Sequence, residues 1–286
     1  MSRLITANFT KLWKSRVFWV MEIVMVCWSI MMYVDAYIMI NQNGRTIDNW
    51  NLYFFNDLMF IGVAMAVFTA FYIGVEYSDG TIRNKIAVGH SRLPIYLANL
   101  IVCYAAGVIA FLTSSVVSLV MGLLLIGRET VLGLRVPGTV MVIGLFIILA
   151  YTGLFVMVAM VDAVKARMAL INLILAILLL AMGTLVQLRL QPEYYVLDEE
   201  TGKTRYITDV GEEIEDTEKV VRNPQYLPAG LKRRLYEWMD MWTPYAQVMH
   251  VLGDGEYSVK QPLCMLVWTV VLSGSGIWIF DRKEIN

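Results

Sequence analysis

Charge is scarce in this sequence. Only 16% of its 286 residues are Asp, Glu, Lys or Arg, while 58% are hydrophobic; a soluble domain carries about 25% charged and roughly 45–50% apolar residues. A soluble globular class is therefore excluded, and a net charge of −1 leaves no basic footprint for nucleic acid. Histidine is scarcer still. His90 and His250 are the only two, and neither lies in an apolar run. The three cysteines, Cys27, Cys103 and Cys264, are scattered through or beside apolar runs. They form no cluster with metal-ligand spacing and read as small packing residues. The polar segment 189–262 has no cysteine, so disulfides cannot hold it.

Two fragments that resemble chemical motifs lack their partners. Gly202-Lys203-Thr204 imitates the end of a phosphate-binding loop, but the required glycine five residues earlier is Leu197, and no strand feeds a helix there. Any ATP chemistry must then belong to another polypeptide. Ser273-Gly274-Ser275-Gly276 has no histidine base within an apolar run to activate a serine, and reads as small-residue packing between helices. The same reading holds for Ser114, Ser118, Gly122, Ala70 and Gly74. Internal repeats are missing too, against a pseudo-symmetric transporter.

What is present is apolar length. Runs at 17–40, 58–75, 97–126, 138–161, 168–188 and 263–280 are each long enough to span a bilayer. The first is too long for a signal-peptide core and no cleavage pattern follows it. An even number of spans puts both termini on one side. Arg3, Lys11, Lys14, Arg16, Arg83, Lys85, Arg92, Lys165, Arg167, Arg282 and Lys283 lie on that side, against Arg45, Arg128 and Arg135 in the opposite short loops. The positive-inside rule makes that side cytoplasmic. The expected architecture is an all-α polytopic membrane protein: spans one to five within 1–188, an extracellular insertion at 189–262, and the sixth span with a cytoplasmic C-terminus at 263–286.

Within this frame, residues 1–16 place Leu4, Ile5, Phe9, Leu12 and Trp13 on one helical face, with Lys11, Lys14 and Arg16 at its polar side, as in a helix lying in the interface or a basic flank of the first span. Glu22 and Asp35 are carboxylates inside the first span. Such groups are costly in lipid, and they read either as pathway residues or as side chains reaching Lys14, Arg16 or interfacial water. The insertion holds 14 acidic and 9 basic residues. It is expected to be small and α+β: a hairpin pairing 194–198 with 204–208 across Gly202, then a helix over 227–242 ended by Pro244. In that helix Leu231, Leu235, Trp238 and Trp242 recur as one apolar stripe, expected to pack on the hairpin or on the outer ends of the spans. Together with Tyr245 its aromatic residues are candidates for extracellular recognition of a cationic amphipathic peptide.

The most informative stretch is 76–97, EYSDGTIRNKIAVGHSRLPIYL, a polar island between the second and third spans. Ser78 or Asp79 can cap a short helix through Lys85, Gly89 can end it, and Ser91 with Pro94 can open the next one. A short helix joined rigidly to two spans is a lever.

Glu76–Gly89, EYSDGTIRNKIAVG, with Ser91-Arg92 and Tyr96, resembles the signature of type-2 ABC transporter permeases, six-span exporter subunits common in bacteria. LITANFTKLWKSRVFWV at the N-terminus is similar to that family's entry into the first span. NPQYLPAG followed by WTPYAQ resembles the version found in permeases of bacteriocin and antimicrobial-peptide systems. The resemblance implies a separate pair of ATPase subunits binding ATP and Mg, a second permease, identical or related, and no cofactor or catalytic site in this chain. It implies a coupling helix built from Ser78, Asp79, Gly80, Thr81, Ile82, Arg83, Asn84 and Lys85, anchored by Glu76, with Thr81, Arg83, Asn84 and Lys85 facing the ATPase. Arg92, Lys165 and Arg167 add contacts. The expected function is the plasma-membrane permease of an ATP-driven exporter of an amphipathic or hydrophobic substrate, such as a peptide. The alternative is an extracellular peptide-capture, immunity or sensor module working with an ABC ATPase. An intramembrane enzyme lacks a base or metal.

Overall fold

The computed structural model describes residues 2–42, 47, 49–134, 137–162, 164–190, 195–197, 220–222, 226–253 and 260–283. Six of its helices are long and apolar enough to cross a membrane. They are α2 (Arg16–Asn41), α4 (Asp57–Ser78), α6 (Arg92–Leu125), α8 (Pro137–Val161), α9 (Lys165–Leu190) and α12 (Lys260–Arg282), and they coincide with the six expected runs. Between them lie α1 (Ser2–Lys14), α3 (Trp50–Phe54), α5 (Thr81–Ala87), α7 (Glu129–Leu132), the strands β1 (Tyr195–Leu197) and β2 (Val220–Arg222), α10 (Leu231–Trp242) and α11 (Pro244–Leu252).

Burial ranks the spans. The apolar stretches of α4 and α8 are 61% buried, whereas those of α9 and α12 are 22% and 28% buried. The former two are the axis of the bundle and the others are its wall. Lipid is as apolar as leucine, so the wall is held by close packing and internal polar bonds rather than by hydrophobic exclusion. Gly276 of α12 shows the packing: a Cβ there would overlap the Tyr96 hydroxyl of α6. Its neighbour Gly274 meets nothing, and Ser273 bonds Tyr104 at 2.8 Å. The small-residue expectation thus holds for Ser273 and Gly276 and not for Gly274. Asn172 of α9 shows the polar bonds. Its amide donates to Ala66 O, Thr69 Oγ1 and Phe155 O at 3.2–3.3 Å, tying α4 and α8 to α9.

The 34-residue α6, at ~1.5 Å per residue, is about 50 Å long, longer than a bilayer core. Its buried first turns receive α1 through Asn99, whose Oδ1 accepts from Asn8. That helix buries Leu4, Asn8 and Leu12, while Trp13 is 50% exposed. The apolar face expected from the sequence is therefore rotated, with Asn8 on the packed side.

In the segment after α9, β1 pairs antiparallel with β2, Leu197 opposite Val220; the expected partner stretch 204–208 and the Gly202 turn lie outside the described residues. The helix at 231–242 is present and ends before Pro244, which opens α11. Its stripe is uncovered: Leu231, Leu235 and Trp238 are 87%, 55% and 58% exposed, and only Trp242 packs against the core. The reason is that α11 takes the place the stripe would occupy. Tyr245 and Ala246 lie against Gly183 of α9, where a Cβ would stand 2.7 Å from the Ala246 nitrogen. The α10 helix is held at its side by Gln187, whose amide donates to Asp240 at 2.5 Å.

Candidate functional site

The turn from α4 to α6 carries the polar island. Gly80, at φ 67°, lets the chain leave α4 and start α5 without a capping side chain, so neither Ser78 nor Asp79 is the cap. Ser78 instead donates back to Gly74 O at 2.9 Å. At the far end Gly89 has φ 95°. His90 N bonds Lys85 O and Gly89 N bonds Ile86 O, at 3.1 and 2.9 Å, which is the paired-bond helix stop that favours glycine. Seven residues are too few for an autonomous helix, so α5 depends on what its inner face touches.

That inner face is Ile82, fully buried, and Lys85. Lys85 Nζ lies 2.8 Å from Glu76 Oε1, and Lys11 Nζ of α1 lies 3.2 Å from the same oxygen. The other oxygen, Oε2, accepts from the Asn99 amide of α6 at 3.0 Å. Asn8 of α1 closes the circuit, donating to Asn99 Oδ1 at 2.9 Å and accepting from Lys85 at 3.4 Å. Tyr72 fastens the same turn of α1: its hydroxyl donates to Asn8 O at 2.8 Å, and its carbonyl accepts from Lys11 at 2.9 Å. Burial pulls the Lys11 ammonium below its ordinary value, and Glu76 opposes that pull. One carboxylate thus holds α1, α4, α5 and α6 together. A buried charge without its partners would be severely destabilising.

The outer face of α5 is open. Arg83 and Asn84 are exposed, as are Ser78, Asp79 and the following Val88, which is 81% exposed. Thr81 is half-buried. Lys85 points inward, correcting the expectation that it faces outward with Arg83 and Asn84: the period of the helix sets residues 82 and 85 on the opposite side from 83, 84 and 87.

The remaining candidates are placed apart from this face. Arg92 caps the last carbonyls of α12, reaching Asp281 O at 2.6 Å and Lys283 O at 2.5 Å. Arg167 pairs bidentately with Asp162 at 2.5 and 2.7 Å. Lys165 lays its stem on Gly74 and its ammonium 5.2 Å over Phe71. Beside them Lys283 meets Tyr77, 3.2 Å away. Lys165 and Lys283 tie the ends of α9 and α12 to the α4 terminus, while the Arg167 side chain, paired with Asp162, stays 62% exposed at the turn between α8 and α9. Asp35 is exposed on α2. Glu22 is buried, 7% exposed, and no cation among the described residues pairs with it, so it does not reach Lys14 or Arg16. Tyr245 is 4% exposed and closed to a ligand, while Trp238 and the half-buried Trp242 stack loosely at 6.1 Å.

Sequence reading missed Asn8, Asn99, Tyr72 and Lys11 as members of the Glu76 circuit. A signal existed for Asn99, an amide inside an apolar run. None existed for Asn8, whose neighbours are polar.

Against known families, the model described as ABC-2 family transporter protein matches residues 4–187. That span runs from α1 through nearly all of α9 and includes the whole Glu76 circuit. No curated protein matches the chain. With the family model covering well over half of its length, the chain belongs to the ABC-2 transporter membrane family, as a multi-pass permease-type protein.

Proposed function

We propose that this chain is the force-receiving permease subunit of an ATP-driven exporter, and that α5 is its coupling helix. The observation that carries the reading is the two-faced construction of α5. Its inner side is fastened through Lys85 to Glu76 and thence to α1, α4 and α6, while Arg83, Asn84 and Val88 on its outer side are free for a partner. A displacement applied outside cannot be absorbed by α5 alone, because each end is a short glycine turn joined to a span. It is delivered to α1, α4 and α6 at once. Val88 offers the apolar anchor, and Arg83 and Asn84 the polar rim, of a small protein interface. The substrate on this reading is amphipathic or hydrophobic, in keeping with the apolar walls of the bundle, and the basic end of the molecule is cytoplasmic.

The test is co-purification with the cognate ABC ATPase and measurement of ATP turnover in the complex. Arg83→Ala with Asn84→Ala, and separately Val88→Asp, are expected to lose the complex. Glu76→Gln, which loosens the inner fastening of α5, is expected to lose the permease-dependent part of turnover. Unchanged assembly and turnover in the outer-face variants would refute the assignment.

A second reading is favoured by the exposed stripe Leu231, Leu235 and Trp238 on α10. In the acidic 189–262 segment it suits capture of a cationic amphipathic peptide. Replacing all three by serine should then abolish peptide binding at the cell surface while ATPase turnover stays intact; retained binding removes this reading.

A further inference from the structure

We infer that the lipid-facing groove between α2 and α6 is a binding site for an amphipathic cation, with Glu22 as its anionic anchor. The groove encloses about 400 Å³ and is lined by Trp13, Trp19, Val26, Ile109 and Thr113, with Glu22 among them. Apart from Glu22 and Thr113 its walls are apolar or aromatic. Glu22 is 93% buried (7% exposed), and its Oε1 has no hydrogen-bond partner among the described residues. Thr113 is the polar neighbour of the carboxyl.

An unpartnered carboxyl oxygen in a hydrocarbon setting is costly and is retained for a use. Three ligand classes meet this site differently. An anion is repelled by the carboxylate. A neutral chain gains the walls and leaves Oε1 unbonded. An ammonium on an apolar body gains the walls and supplies the N–H donors and the charge that Oε1 lacks. The mouth adds to the preference: Trp13 and Trp19 are about half exposed, with ring centroids 6.0 Å apart, and indole faces attract cations. Trp19 is fixed there by donating its Nε1 hydrogen to Trp13 O at 2.9 Å. The two rings mark the interfacial depth, so an amphiphile already in the leaflet reaches the groove sideways, headgroup beside Glu22 and chain along Val26 and Ile109. The use of this site as an entry point for cargo rests on the permease reading; the binding does not.

The probe is 12-bromododecylammonium, compared with its uncharged N-acetyl derivative, on the full chain in zwitterionic-lipid nanodiscs without ATPase. Bromine quenches indole on contact, and empty discs correct for partitioning. Saturable quenching is expected at a concentration about tenfold lower for the ammonium, as for one added charge-assisted contact. The difference should vanish in Glu22→Gln and survive in Glu22→Asp. In Trp13→Phe with Trp19→Phe the quenching amplitude should fall. Cys27→Trp, at an exposed groove position, should block both probes without touching the carboxyl. Equal affinities in the wild type, a preference that persists in Glu22→Gln, or undiminished binding in Cys27→Trp overturns the inference. Because ATPase assembly is not involved, such failure leaves the coupling assignment of α5 standing, and failure of coupling leaves this site standing.

Discussion

Glu76 sits between two ammonium groups and an amide, 2% exposed, at 2.8, 3.2 and 3.0 Å. Removing its charge strands Lys11 and Lys85 together, so Glu76→Gln should lower the stability of the purified chain by about 3–5 kcal/mol, read as a drop in thermal midpoint. A buried ionic cluster exchanged entirely for apolar residues often recovers stability. The triple variant Lys11→Met, Glu76→Met, Lys85→Met should therefore melt close to wild type yet remain uncoupled from the ATPase. A triple variant that both melts normally and couples normally would show that the ions are dispensable. The glycines test geometry at the same scale. Gly276→Ala must push Tyr96 aside and should cost about 1–3 kcal/mol, whereas Gly274→Ala, with open space around it, should be neutral or slightly stabilising. Gly89→Ala meets no atom within 4 Å but forces φ 95° on a residue with a Cβ, costing about 1–2 kcal/mol; unfolding curves of the three variants separate packing from backbone strain.

At the scale of elements, α1 and α5 are both too short or too polar to be stable alone, and each is ordered by the same carboxylate. Their order should therefore be lost together. Asn8→Leu removes the amide that bridges Asn99 and Lys85. Amide hydrogen exchange is expected to rise by about tenfold or more in both α1 and α5, with α2 and α8 unchanged. A rise confined to α1 would show that α5 is held by Ile82 and its glycine turns without the circuit. The contrast with α10 is instructive. That helix has no buried residue and hangs on Gln187 and Trp242, while α11 beside it is packed into the bundle at Gly183. A voluminous side chain at position 183 should thus displace α11 and leave α10 helical.

For the whole molecule, the circuit at Glu76, the Arg92 cap and the Lys283 contact gather α1, α5 and the end of α12 at one end of the bundle. The basic residues there lead us to propose that this end is cytoplasmic, which impermeant maleimide labelling in a Cys27→Ser background tests, since Cys103 and Cys264 are buried. Val88→Cys should label only after the membrane is opened, and Leu231→Cys in intact cells. The reverse pattern would invert the molecule and remove α5 from the ATPase compartment. Burial is centred on α4 and α8, and on the proposed coupling a push at the α4 terminus would meet the axis of the bundle directly, with the Asn172–Thr69 bond joining α4 to α9.

Apolar run length sufficed to place all six spans, because a bilayer of fixed thickness leaves little choice about where a helix of ~20 apolar residues can lie. The island at 76–97 was legible for the same reason, as a break in that pattern, and Gly89 was legible as a helix stop because only glycine sits easily at positive φ. Facing was not legible. Lys85 reads as one more surface cation until a buried Glu76 from the preceding helix claims it; Asn8 reads as surface until Asn99, 91 residues away, answers it; Tyr245 reads as an accessible aromatic until Gly183 makes room for it. Each is decided by a partner distant in sequence, and local pattern carries no record of such partners. The sequence by itself determined that this is a six-span membrane protein with one polar connection between its second and third spans. Only the tertiary structure decided which side of the short helix in that connection is fastened and which is free, since hydrogen-bond partners across helices, not hydropathy, choose the face a short helix turns inward.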